Sequence, residues 1–445
     1  MIENLSPPRV VLDIARTLEK AGFETWCVGG AVRDALLGHP HLDWDFATAA
    51  RPEEVRKLFP RTVPVGIAFG TIGVLGEDGV MHEVTTFRRD VRTDGRHAVV
   101  EFGATIDEDL ARRDYTINAI AFDPRTREVK DPFGGRADLA SKTVRAVGDP
   151  EERLREDRLR ALRAIRFSTR LDFEIEPLTW KAILGSAPHL GRLSAERVKQ
   201  EIEKTMDQVR CPSVAFAKWQ SSGAFGTLIP GLADVSAIEL ATIDQIAMPL
   251  PVPPVGTMAS GLPIAKVNRR ILRLIALFAA ARPPGVLETL KGLRFSNSDA
   301  SWIAGIITHW SVLAAEMKFA MSSQGGPLDP VLRRWAAMTG RTRLASVLRL
   351  AAARWAAERA AGIEAPSAAV VHSAYRRAIL VAYRDPVEVA DLAIDGSDLA
   401  ELGITGPKVG RMLRMLLETV ITEPALNTRD DLLAQARRSV AEAGN

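Results

Sequence analysis

Strand-length apolar runs stop near residue 146, and helical periodicity takes over for the rest of the chain. Before that point TWCVGG, WDFAT, GTIGVLG, VMHEVTTF and INAIAFD are separated by turn residues, a spacing that reads as short strands. After it, apolar residues recur every three or four positions, the mark of helices with one buried face. This order predicts an α+β head on an all-α remainder, because interleaved strand–helix units would alternate along the whole length. With 445 residues the chain exceeds one ordinary core and predicts three or four domains. Its interior breaks are PLPVPPVGTMASGLP (249 to 263), SSQGGPLDP (322 to 330) and a lesser one at ARPPG near 281. The helical part carries no tandem repeat that would make it a solenoid.

Composition excludes several classes. Hydrophobic residues make up 47% of the chain, so it buries a core and is not a disordered sequence. The apolar stretch ILRLIALFAAA, from Ile271, is cut by charge or proline short of a membrane span, and MIENLSPPRV lacks the basic and apolar regions of an export signal. No membrane role is expected, and the reading is cytoplasmic. Cys27 and Cys211 lie far apart without metal-ligand spacing, so neither a disulfide frame nor a zinc site is expected, and Cys27 reads as a buried strand residue. The net charge of +3 does not announce a polyanion partner. Between Pro330 and Ala357, however, six arginines (Arg333, Arg334, Arg341, Arg343, Arg349 and Arg354) occur with no acid, which fits either a soluble helical pair or a phosphate-contacting surface.

Three motifs carry chemistry. In VGGAVRDALLG, two glycines end an apolar run just before a helix, so backbone N–H groups face outward together, as a triphosphate requires. In LDWDFAT, Asp43 and Asp45 alternate on a strand and project to one face, where two like charges call for a cation between them. Glu83, on the strand after the EDG turn, would complete the carboxylate set; Asp78, Asp90 and Asp94 are nearby alternatives, and His82 reads as its outward-facing neighbour. The stretch REDRLRALRAIRF (155 to 167) reads as one amphipathic helix with Leu154, Ala161, Leu162 and Ile165 on one side and Arg153, Asp157, Arg160 and Ala164 on the other. That polar side fits either a solvated face knitted by an i,i+3 ion pair or a built recognition surface.

The series GGAVRD, LDWDFAT, HEVTTFRRD, DLARRDYTINAIAFD, DPFGGRADL, REDRLRALRAIRF and SAERVKQEIEK, in this order, resembles the class II tRNA nucleotidyltransferase (CCA-adding enzyme) and bacterial poly(A) polymerase family over roughly residues 25 to 205. The ending DLAIDGSDLAELGITGPKVGRMLRMLL resembles that family's C-terminal segment, with Gly403, Gly406, Pro407 and Gly410 as markers. The resemblance implies a polymerase-β-like head with a mixed sheet over residues 1–146. It implies a helical neck over 147–265, a body over 266–383 and a tail over 384–445.

It implies, too, template-free addition of C, C and A to tRNA 3′ ends from CTP and ATP, by two-metal phosphoryl transfer that releases pyrophosphate. Asp43, Asp45 and Glu83 would hold two Mg2+ ions. Gly29, Gly30 and Arg33 would contact the triphosphate. Arg113, Asp114 and Asn118 would read the ribose 2′-OH. Asp157 and Arg160 would hydrogen-bond the base edge, with Arg163 and Arg166 supporting pocket and phosphates. The helical part would clasp the acceptor end and elbow of tRNA, with Arg333, Arg334, Arg341, Arg343, Lys408 and Arg411 as candidate RNA contacts, in a monomer or dimer.

Within the family a poly(A) polymerase is the alternative, but those usually carry a GRRF-like signature where this chain has VGIAFGTIGV. That stretch is nearer the GxxHGT pattern of tRNA-maturing members, with Phe69 in place of histidine. The segment DVRTDGRHAVVEFGAT (90 to 105) resembles the flexible loop that full CCA-adding members use to switch from C to A. CC-only or A-only addition, a small-molecule nucleotidyltransferase and a non-catalytic RNA-binding protein are further alternatives. The absence of a His-Asp dipeptide excludes an appended HD phosphohydrolase domain.

Overall fold

The computed structural model describes residues 5–39, 44–93, 98–246, 269–281 and 285–443. They fall into two units, Met1–Arg210 with Val214–Ala233, and Cys211–Ser213 with Asp234–Asn445. Asp43, Asp94 and the break at 249–263 lie outside the described residues, as does most of ARPPG.

The first unit is built on a mixed sheet. Its strands are β1 (Thr25–Val28), β2 (Asp45–Thr48), β3 (Thr62–Gly66), β4 (Thr71–Leu75) and β5 (Met81–Thr86). A separate pair, β6 (Arg88–Thr93) and β7 (Ala98–Phe102), follows, and β8 (Ala121–Phe122) and β9 (Val129–Lys130) complete the sheet. The order across the sheet is β3-β4-β5-β2-β1-β8-β9, and β2–β5 is its one parallel pairing. That pairing matters for the site: Phe46 lies opposite Val84, so the preceding residues, Asp45 and Glu83, are neighbours on the opposite face.

Helix Arg9–Lys20 buries Val11, Ile14, Ala15 and Leu18, the i, i+3, i+4, i+7 stripe of an amphipathic helix. A cluster of Trp26, Val28, Ala47 and Phe87 packs with Ile106 and Leu110, each large side chain contributing roughly 1.5–3 kcal/mol by leaving water. Cys27 is buried in β1, as expected, and Cys211 is exposed.

The structure corrects two local expectations. The stretch from 155 to 167 is two helices, Pro150–Glu156 and Leu159–Leu171, because Asp157 is extended (φ −148°, ψ 104°). Its Oδ1 accepts from the Leu159 amide at 3.0 Å, a short-range bond that competes with the helix ladder. His82 is fully buried rather than outward-facing; it lies edge-on to Phe46, on the face of β5 opposite Glu83. The segment 90 to 105 contains paired backbone, with Arg88 opposite Phe102 and Thr93 opposite Ala98; residues 94–97 lie outside the description.

The second unit is helical, and the break at 322–330 falls between helices Asn297–Ser322 and Asp329–Thr339. Among the described residues no helix is long and apolar enough to cross a membrane. The C-terminal helices Pro407–Thr422 and Arg429–Ala443 share a core that includes Leu416, Val420, Leu432 and Ala436.

One glycine in the first unit fixes a turn that the site depends on. A Cβ on Gly135 would lie 2.2 Å from the Thr116 carbonyl oxygen and 2.8 Å from Ile120 Cγ1, and Thr116 opens the short 3-10 turn that ends in Asn118. Gly135→Ala is therefore expected to destabilise the protein by about 1–3 kcal/mol in urea unfolding. An unchanged midpoint would show that the turn can move aside without cost.

Candidate active site

A cleft of about 710 Å³ opens in the first unit, lined by nine basic side chains against four carboxylates. Such an excess in a partly enclosed cleft focuses positive potential and selects for a multiply charged anion.

Asp45 and Glu83 enter it side by side from β2 and β5. Gly29, beyond the end of β1, has φ +76°, and a side chain there would meet Arg113 Nη1 at 3.3 Å and Asp45 Oδ2 at 3.8 Å. Glycine satisfies both the left-handed backbone and the close approach. Gly30 and Arg33 follow on the first turns of helix Gly30–Leu36. Asp78, an alternative to Glu83, is spent on its own turn, accepting from the Val80 amide. Among the described residues no three His, Cys, Asp or Glu side chains form a metal cluster, and Asp43 is not among them.

A closed circuit of polar contacts organises the wall. Arg163 Nη2 lies 2.7 Å from Asp114 Oδ2, and Asn118 Nδ2 donates to Asp114 Oδ1 at 3.0 Å. Arg33 Nη1 donates to Asn118 Oδ1 at 2.6 Å and Arg33 Nε to Asp34 at 2.7 Å. Arg170 Nη2 then donates to the other oxygen of Asp34 at 2.8 Å. Arg163 and Arg170 are two turns apart on helix Leu159–Leu171, so the circuit begins and ends on one helix. Beside it Arg112 and Arg113 share the buried Asp109 at 2.8 and 3.0 Å. Burial resists ionisation of Asp109, but the guanidiniums of Arg113 and Arg112 outweigh it and hold the carboxyl below its usual range.

Asp157 and Arg160 both line the cleft, but their side chains do not pair with each other. Asp157 Oδ2 takes Arg197 at 2.7 Å. Arg160 reaches Glu156 at 2.7 Å and the carbonyls of Arg153 and Arg112 at 2.9 and 3.1 Å. The i,i+3 ion pair is absent because the helix breaks between the two residues. Arg160 and Ala164 are buried, so this side is a cleft wall and not a solvated face. Arg166 completes it, held by Glu201 at 2.7 Å and Gln208 at 3.1 Å.

All the described candidates of the head and the 155–167 stretch thus meet in one cleft. Reading the sequence missed Arg88, Arg112, Phe167, Arg170, Lys204 and Gln208, which also line it. Spacing held a signal for one of them, since Arg163, Arg166 and Arg170 follow i, i+3, i+7.

In the second unit, two of the proposed RNA contacts need correction. Arg333 is buried, donating to Asp385 at 2.9 Å and to the Ile421 carbonyl at 2.6 Å. Arg341 is occupied by Asp391 and the Ala382 carbonyl. Both hold helices together; Arg333 is a buried cation, which must be partnered, and Arg341 is half-buried. Arg343 lies over the Trp302 ring, 5.5 Å from its centroid. Arg334, Lys408 and Arg411 are exposed.

Burial opposes ionisation of Asp114, yet Arg163 and the Asn118 amide more than offset it, and the carboxyl is lowered to about 2. Because the unfolded value is near 3.9, this group stabilises the fold fully above about pH 4 and loses that contribution as pH falls through about 2. Asp114→Asn should therefore be less stable than the parent at pH 5, by about 2 kcal/mol. The gap should close toward pH 2 in urea titrations; a pH-independent gap would remove the charge from the account.

Comparison with known proteins places the chain among relatives of one kind. The family model "Poly A polymerase head domain" matches residues 25–145, and "Probable RNA and SrmB- binding site of polymerase A" matches residues 172–235. The CCA-adding enzyme of Geobacillus thermodenitrificans is 43% identical over 234 residues, 52% of this chain and 57% of that protein. That of Streptococcus mutans is 47% identical over 197 residues, 44% of this chain and 49% of that protein. The chain thus aligns with about half the length of these curated relatives. The crystal structure of the Bacillus stearothermophilus CCA-adding enzyme in complex with CTP superposes with a TM-score of 0.75 at 30% identity, covering 99% of this chain and 100% of that one. With that identity carried along the full length of a solved member, the chain belongs to the CCA-adding enzyme family.

Proposed function

We propose that the protein is a tRNA nucleotidyltransferase that adds C, C and A to the tRNA 3′ end from CTP and ATP, without a nucleic-acid template. The observation that carries this reading is one cleft in which two adjacent carboxylates, a cationic wall and the Asp157/Arg160 edge face the same space. The full-length likeness to an enzyme crystallised with CTP supports the choice of substrate class.

Asp45 and Glu83, neighbours across β2 and β5, offer only hard oxygen donors and fit magnesium; Asp43, outside the described residues, would join them. Magnesium, when bound there, lowers the pKa of a hydroxyl and neutralises charge on a transferring phosphoryl group. Arg33, Arg163 and Arg166 hold the triphosphate, and Gly29 and Gly30 let the backbone come close. Arg113, Asp114 and Asn118 border the ribose. The RNA 3′-hydroxyl oxygen bonds to the α-phosphorus as the bond to pyrophosphate breaks, and positioning with electrostatic stabilisation supplies most of the rate. Exposed Arg334, Lys408 and Arg411, with half-buried Arg343, are the remaining candidates for RNA contact, and the reaction is assigned to the cytoplasm.

Offering the purified protein a tRNA transcript lacking CCA, with labelled CTP and ATP singly and together, tests the reading. CTP alone should extend the transcript by two residues, and both nucleotides together by three. A long ladder with ATP alone would make the protein a poly(A) polymerase instead. Asp45→Ala should abolish extension while RNA binding persists, because chemistry and affinity rest on different residues; normal turnover would remove Asp45 from the reaction.

Selection of the base follows from hydrogen-bonding pattern. Cytosine and adenine both present an exocyclic amine beside an unprotonated ring nitrogen, so Asp157 can accept from the first while Arg160 donates to the second. Uracil and guanine present a carbonyl beside a protonated nitrogen, leaving polar groups unpaired at roughly 1–3 kcal/mol each. Asp157→Ala should lower use of CTP and ATP and narrow their advantage over UTP and GTP. An equal fall for all four nucleotides in single-turnover assays would make Asp157 a scaffold residue.

A further inference from the structure

The sequence gives no reason to notice Phe167, yet three guanidiniums gather on its ring. The carbon centres of Arg33, Arg163 and Arg166 lie 5.2, 5.2 and 4.5 Å from the ring centroid. Arg33 comes from the head, while the other two share the helix of Phe167. Each guanidinium also has its own carboxylate: Asp34 for Arg33 at 2.7 Å, Asp114 for Arg163 at 2.7 Å and Glu201 for Arg166 at 2.7 Å. The carboxylates come from three different elements, and although Asp114 and Asn118 link Arg163 to Arg33, no carboxylate touches all three cations. The ring is the one group common to all three. It is nearly buried and braced edge-on by Tyr115, 6.0 Å between centroids, whose hydroxyl donates to the Arg160 carbonyl.

Like charges crowded in one cleft repel, and an aromatic face is the neutral surface that attracts each of them, by roughly 0.5–2 kcal/mol per contact. An arginine has five N–H donors, and its carboxylate takes only part of them. A ring shared by three guanidiniums fixes where they sit relative to one another before any anion arrives.

We propose that Phe167 is a positioning residue for triphosphate binding: its ring gathers Arg33, Arg163 and Arg166 into one preorganised anion clamp. This rests on the reading that the cleft takes a nucleoside triphosphate. The clamp acts on the phosphates and not on the base, so it sets affinity for CTP and ATP equally and leaves the choice among bases to Asp157 and Arg160.

The test measures binding of CTP, UTP and inorganic tripolyphosphate to the full chain by calorimetry, beside extension of a tRNA transcript lacking CCA. Phe167→Leu, which keeps an apolar side chain but removes the ring, should weaken CTP and tripolyphosphate to the same degree, about tenfold for the loss of one to two contacts. The ratio of CTP to UTP affinity should not change. Because this variant also alters packing, phenylalanines with one, two and three ring fluorines placed at 167 keep the shape while draining the ring's negative face. Affinity for tripolyphosphate should fall stepwise along that series. A flat series, or a Phe167→Leu variant that binds tripolyphosphate like the parent, would overturn the proposal. A parent that binds CTP in this way but never extends the transcript would overturn the proposed activity and leave the clamp standing.

Discussion

The contact between Arg163 and Asp114 is the one on which the rest of the first unit depends. It ties a helix of the second half of that unit to the turn after Arg113, and through Asn118, Arg33 and Asp34 it returns to the same helix at Arg170. A carboxylate buried with a single partner would carry a large desolvation cost. Here Asp114 has a guanidinium, a side-chain amide and the Tyr115 amide, and its neighbours are satisfied in the same way. The circuit keeps a strongly cationic cleft from flying apart, because every cation in it is anchored before an anion arrives.

Much of this architecture was legible in the residues. The change of period near 146 separated the sheet from the helices, and the runs around Cys27, Phe46, Ile72 and Val84 became β1, β2, β4 and β5 because apolar alternation and flanking turns are local signals. The run INAIAFD became the short β8, whereas β9 and the edge strand β3 had little of that signal, with β3 mostly exposed. Side-chain direction was harder. His82 looked outward only because Glu83 was taken as the inward residue, whereas the strand buries His82 and turns Glu83 into the cleft.

The site divided along the same line. Gly29 and Gly30 could be read from a short local motif, a glycine pair between a strand and a helix, whereas Arg33, Asp114 and Asn118 were named through the family resemblance of their motifs. Partners contributed from a distance could not: Arg197 on Asp157, Glu201 on Arg166 and Arg170 on Asp34 join positions tens of residues apart. The basic run after Pro330 shows the reverse error. Its charge suggested a surface, but Arg333 and Arg341 tie helices together, since each meets a carboxylate and a carbonyl from elements distant in sequence.

The break at Asp157 leaves helix Pro150–Glu156 only seven residues long, well below the length that sustains a helix by itself. Its order is borrowed, in part from Arg160, which donates to the carbonyl of Arg153 at its middle and to Glu156 at its end. The side chain assigned to the base edge is therefore also a splint for the backbone that precedes it. On the proposed reading, folding of this segment and discrimination among nucleotides draw on one guanidinium, so neither can be tuned without retuning the other.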